Sequence, residues 1–121
     1  MKTHTEYIHS KSYKTKDGSE IRELFHPDLH GNKNQSLAEA TVPVNGKTLL
    51  HLHKTSEEIY HVIQGNGLMT LGDEQFRIKP GDTVCIAPNT PHCVENASNT
   101  ELKILCSCSP AYQHDDTELI S

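Results

Sequence analysis

The sequence predicts an all-β fold, a sandwich or barrel of short strands, and two observations carry that expectation. Turn signals recur at short intervals: KDG (16–18), HPDLHGNKN (26–34), VNG (44–46), QGNG (64–67), GDE (72–74), KPGD (79–82), APNTP (87–91) and NASNT (96–100). The segments between them are rich in Val, Ile, Leu, Thr and Tyr, and none carries a long apolar stripe at helical spacing. A chain of 121 residues fits one domain with a single core.

Strand alternation assigns the faces of each element in turn. In 48–53, His51 and His53 project together beside Leu49, while Leu50 and Leu52 point the other way. In 58–63, Glu58, Tyr60 and Val62 share one face and Ile59, His61 and Ile63 the other. Lys79-Pro80-Gly81-Asp82 suits a type II turn, with Pro second and Gly third. His92, Val94 and Asn96 share a face of the strand that follows the Pro-rich turn. Residues 101–107 alternate Leu102, Ile104 and Cys106 against Lys103, Leu105 and Ser107, so both faces are largely apolar, as where sheets or subunits pack.

Composition excludes several function classes. Eleven Lys+Arg against 16 Asp+Glu give a formal net charge of -5, which opposes binding to nucleic-acid phosphates. Apolar runs fall far short of the roughly 20 residues that span a bilayer, and MKTHTEYIHS lacks a signal-peptide core. A cytoplasmic location is therefore expected, with Cys85, Cys93, Cys106 and Cys108 reduced and packed as small apolar residues.

Nine histidines are the unusual feature. His51 and His53, two residues apart on one strand face, have alpha carbons about 6.6 Å apart. That spacing lets two rings converge on a metal at about 2.0–2.1 Å from each nitrogen. Glu58 opens the next strand, with Glu57 as its competitor, and His92 follows the Pro-Asn-Thr-Pro turn. Three imidazoles and a carboxylate suit zinc, iron, nickel, manganese or copper.

These residues carry a resemblance. Gly46 to Gly65 resembles the first cupin motif, with its HxH, following Glu and closing Gly; Gly81 to Asn96 resembles the second. The departures are mild: Gly46 lies one residue nearer His51 than usual, Ala87 stands at a common Pro, and Asn89 replaces a turn Gly. Asn tolerates left-handed backbone angles better than most residues. The resemblance implies a jelly-roll barrel (a double-stranded β-helix) in a single domain 1–121, with a core at about 36–108, N-terminal strands in 1–35 and a tail from 109. It places the metal ligands at His51, His53, Glu58 and His92, the spacing to Gly65 selecting Glu58 over Glu57. It implies one divalent transition metal per chain (Zn, Fe, Ni or Mn), a small-molecule substrate and a homodimer.

Tyr60 shares the face of Glu58, so its phenol is the candidate general acid or base, with a barrel-lining role as the plain alternative. Arg22 and Gln35 lie on segments that run along the barrel mouth in similar cupins, where they would hold a carboxylate or hydroxyls. His26 and His30 are expected at the surface of their loop, and His61 faces away from the metal. Tyr112, His114, Asp115 and Asp116, in a tail similar to that of small cupins labelled mannose-6-phosphate isomerase-like, either cap the barrel mouth, pack on a partner or stay solvated. That specific label lacks support, since no basic cluster gathers for a phosphate. The activity expected first is a metal-dependent isomerase or lyase on a sugar, sugar acid or hydroxy acid. An Fe(II) dioxygenase and a non-catalytic binding module follow, because one fold hosts many activities.

Overall fold

The computed structural model describes residues 1–120. It contains eleven strands: β1 (Ser12–Lys14), β2 (Glu20–Phe25), β3 (Ser36–Val42), β4 (His51–His53), β5 (Glu57–Gln64), β6 (Gly67–Leu71), β7 (Glu74–Ile78), β8 (Thr83–Ile86), β9 (His92–Asn96), β10 (Leu102–Ser109) and β11 (Thr117–Leu119). One four-residue helix, α1 (Pro27–His30), interrupts them. No helix is long and apolar enough to cross a membrane.

Two antiparallel sheets result, as the jelly-roll expectation requires. One has the order β1-β2-β3-β10-β5-β8, the other β11-β4-β9-β6-β7. Consecutive neighbours are mostly distant in sequence, so the barrel closes through long-range pairing. In β10, Ile104 sits opposite both Ala40 and Val62. The inward row of each strand makes one core, with Val42, Val62, Met69, Ile78, Ile86, Val94, Leu102 and Ile104 all buried. Burying such side chains contributes about 1.5–3 kcal/mol each.

Local chemistry fixes the turns. Gly81 (φ 94°) and the bond from Asp82 N to Lys79 O (3.0 Å) make the expected turn at 79–82. Asn89 adopts φ 66°, the left-handed angle its substitution for Gly requires, and its N–H donates to His53 O. Gly65 (φ 80°) lies where a Cβ would come within 2.8 Å of Glu101 O, so the closing Gly of the first motif has a steric reason. Buried Asn96 donates to the carbonyls of Val42, Pro43 and Thr100 and accepts from Ser98, tying three segments together.

The chain termini differ from expectation. Residues 114–119 fold back to form β11, which pairs with β4 and sets Thr117 opposite His53. Asp116 accepts from the backbone of Thr55 and Ser56 and from the Thr55 hydroxyl, latching the tail to the β4–β5 turn. His26 is buried, which corrects its surface assignment: its Nδ1 accepts from Asp28 N to cap α1, and its Nε2 donates to Tyr112 O. Cys106 and Cys108 are buried as expected, but Cys85 is exposed on the outer face of β8.

Candidate metal centre

The expected face alternation brings three imidazoles together. His51 on β4 lies directly opposite His92 on β9, and His53 follows on the same side of β4. All three are buried, with ring nitrogens within 4.8 Å of one another. Their Nδ1 atoms point outward and donate: His51 to Leu49 O (2.7 Å), His92 to Thr90 O (2.9 Å), His53 to Thr117 Oγ1 (3.0 Å). The Thr117 hydroxyl donates onward to Gln113 O, so it can only accept from His53. These bonds fix one tautomer in each ring and leave every Nε2 lone pair facing the cavity.

Glu58 completes the set from β5. Its Oε1 lies 3.1 Å from His53 Nε2 and 3.3 Å from His92 Nε2. Its Oε2 accepts from Cys108 Sγ, which sits across the β5–β10 ladder. Two donors held at about 2.1 Å from one ion are about 3.0–3.4 Å apart when adjacent. The observed separations match that range, and His92 Nε2 has no hydrogen-bond partner although it is buried. The three imidazoles fit a divalent cation, with the Glu58 carboxylate beside two of them.

Without a cation the carboxylate leans on the imidazoles. Burial works against the Glu58 anion, but when His53 and His92 are protonated their hydrogen bonds and charge outweigh it and hold the carboxyl at about 2. Burial works to lower His53, yet Glu58 raises it, whereas burial and His92 keep His51 low. Glu57 is exposed on the opposite face of β5, and His61 points outward to Thr83 Oγ1.

The cavity at this cluster has a volume of about 40 Å³. Tyr60 lines it with its ring centroid 5.9 Å from that of His92, and burial and the Glu58 charge push its phenol well above the ordinary value. Arg22 and Gln35 do not line it. On β2 it is Ile21 and Glu23 that face inward, so Arg22 turns outward, donates to Ser10 O and stacks over Tyr7. Gln35 is exposed just before β3, where its carbonyl accepts from Asn32.

Several residues here were invisible to the sequence reading. Asp17, in the β1–β2 turn, directs Oδ2 to 3.3 Å from His51 Nε2. Thr117 anchors His53, and Tyr112 stands edge-on to His53 at 5.7 Å. Glu23, buried, accepts from Tyr13 through Oε2 and leaves Oε1 without a partner; burial pushes its carboxyl up. Its only early signal was the alternation of β2. Glu23 and Tyr112 also line a larger open cleft of about 770 Å³, which holds His4, His9, His26, His30 and His114. Of the tail residues, Tyr112 lines both the cavity and the cleft, Asp116 holds the β4–β5 turn, His114 borders the cleft, and Asp115 is exposed.

Comparison with known proteins agrees with this fold. The cupin domain family matches residues 38–108. An uncharacterized protein of Methanocaldococcus jannaschii, MJ1618, is 59% identical over 116 residues, covering 96% of this chain and 93% of the relative. The oxalate-binding protein of Thermotoga maritima is 29% identical over 86 residues, 71% of each chain. Among solved structures, the polyketide cyclase RemF of Streptomyces resistomycificus superimposes with a TM-score of 0.80 at 20% identity, over 100% of this chain and 87% of that one.

Proposed function

We propose that this chain, which belongs to the cupin family, binds one divalent transition metal and acts as an isomerase or lyase on a small oxygen-rich acid. The observation that carries this reading is the buried cluster of three imidazoles, each ring fixed from behind, with Glu58 beside two of them. An ion held there supplies Lewis-acid polarisation of a substrate carbonyl or carboxylate. The chain's own residues do the rest. His51, His53, His92 and Glu58 hold the ion, and the apolar row of Val94, Ile104 and Ala40 keeps bulk water away. Tyr60 lines the cavity beside His92, where its phenol would exchange a proton with a substrate oxygen.

Cavity size narrows the substrate. At about 10–15 Å³ per water, 40 Å³ takes the place of a few waters. That favours hydroxy acids and short diacids over whole sugars. A second reading, binding without turnover, has support from the likeness to the Thermotoga maritima oxalate-binding protein. The same proposal includes a homodimer formed through the outer face of the six-stranded sheet, where Leu37, Ile59 and Ile63 stay exposed. A reducing, cytoplasmic setting suits its free thiols.

The test is metal content by mass spectrometry on protein purified without a His-tag column, with oxygen uptake after anaerobic Fe(II) loading. Zinc, manganese or nickel near one per chain, no uptake, and turnover of a hydroxy-acid panel are expected. Stoichiometric iron with uptake would make it a dioxygenase, and metal with tight acid binding but no turnover a binding module. No metal at all would remove the reading. Tyr60→Phe should keep the metal and lower kcat; unchanged kcat would return Tyr60 to a lining role.

A further inference from the structure

Glu23 is a buried acid that the metal reading leaves unused. It stands on β2, outside both cupin motifs, and its residue is only 6% exposed. Its two carboxyl oxygens differ. Oε2 accepts from the Tyr13 hydroxyl at 2.8 Å, whereas Oε1 is buried and has no partner. A buried oxygen in that position carries its full desolvation cost until a donor reaches it.

The register of the six-stranded sheet shows where a donor would lie. Glu23 pairs with Ala38, Ala38 with Cys106, and Cys106 with Tyr60, so the four form one row across β2, β3, β10 and β5. All four line the inner cavity. The two middle side chains are small, so the row is a trough with Tyr60 at one end and Glu23 at the other. Strands lie about 4.8 Å apart, which sets the end backbones about 14 Å apart along the sheet. Both end side chains reach inward and shorten that span. Tyr60 stands beside His92 of the imidazole cluster, and Glu23 also borders the outer cleft. The row therefore runs from the imidazoles to the cleft.

We propose that Glu23 is a specificity-determining residue: its Oε1 accepts from the far hydroxyl of a hydroxy acid whose carboxylate lies at the imidazole cluster. This rests on the acid-binding reading above and narrows it from hydroxy acids and diacids to hydroxy acids alone. A second carboxylate at that point would bring Glu23 another acceptor and a like charge, with no donor for Oε1. An ammonium would donate, but desolvating a full charge among Ile21, Ala38 and Ala40 costs far more than burying a hydroxyl. The hydroxyl end faces the cleft, so the acid enters carboxylate first.

The test is calorimetric binding of ω-hydroxy acids from glycolate to δ-hydroxyvalerate, each beside the monoacid and the diacid of equal length, to protein carrying its purified metal. Wild type should bind at least one hydroxy acid about tenfold more tightly than both counterparts. Glu23→Leu and Glu23→Met keep an apolar side chain of similar bulk and remove the acceptor. In each, the preference over the monoacid should fall to about twofold or less, with monoacid affinity, metal content and the metal-free melt unchanged. A role in folding alone would move the melt and leave that ratio as it is. Wild-type affinities that ignore the hydroxyl, or a preference that survives in the variants, would overturn the Glu23 assignment and leave the acid-binding reading standing. If none of the acids binds wild type, the acid-binding reading fails and the Glu23 assignment with it.

Discussion

The inner cavity and the outer cleft are both histidine-rich and differ in what the ring nitrogens do. Three histidines cluster inside the barrel, and five border the cleft. Inside, every Nδ1 donates to an oxygen behind the ring, which turns every Nε2 toward its neighbours in the cluster or a carboxylate. In the cleft the nitrogens serve the local chain: His26 caps α1 and binds Tyr112 O, His30 Nδ1 accepts from His26 N, and His114 Nδ1 meets the Tyr112 hydroxyl. The inner rings ride on paired strands, the outer ones on termini, a loop and a four-residue helix. What makes a site is therefore the atoms behind each ring, since the count of histidines favours the wrong region.

The strongest way to break this comparison is to replace histidines inside the cluster and outside it. His92→Ala and His51→Ala should lose most bound metal, whereas His30→Ala and His61→Ala should retain it. Metal content by mass spectrometry checks this, and equal content across all four variants would erase the distinction. The effect should be large because His51 and His92 are direct cross-strand partners, and each supplies a donor that nothing else in the cavity replaces.

The anchors should matter next. Thr117→Val keeps the shape of a buried residue and removes the oxygen behind His53. Loss of such an outer partner lowers metal affinity by about 10–100-fold, which a chelator competition would measure. Affinity equal to wild type would mean that packing alone orients His53. A smaller effect is expected from Tyr112→Phe, whose hydroxyl meets His114 and Thr117 but not His53.

The same contrast explains what was legible in the sequence. The faces of β4, β5 and β9 follow from period-two alternation, a local rule, so the inward rows with His51, His53, Glu58, Tyr60 and His92 could be read residue by residue. Asn89 and Gly81 were legible for the same reason, because backbone angle is a property of the turn itself. Asp17 and Thr117 were not. The contact of Thr117 with His53 spans 64 residues, and that of Asp17 with His51 depends on where a two-stranded hairpin docks. Their sequence signals, a KDG turn and a threonine in a polar tail, are ordinary. Arg22 failed from the opposite cause: its segment was assigned to the barrel mouth by resemblance, and strand parity on β2 turned it outward.

The smallest expected effect concerns the tail that carries Thr117, and it sharpens the comparison by pH. Burial would raise the Asp116 carboxyl slightly, but hydrogen bonds from Thr55 and Ser56 outweigh it and hold the group below its ordinary value. A carboxyl depressed in the folded state contributes stability above its unfolded value, about 3.9, and loses that contribution as pH falls through the folded value. Asp116→Asn removes the charge but keeps one acceptor for Thr55. Melting of the metal-free proteins between pH 3 and 7 should therefore show wild type above the variant by a few degrees from pH 5 upward. The gap should close toward pH 3. Because the latch is largely exposed, solvent screening keeps the difference small. A gap independent of pH would mean that the tail is held by the β11–β4 ladder alone, and the anchor behind His53 would then owe nothing to Asp116.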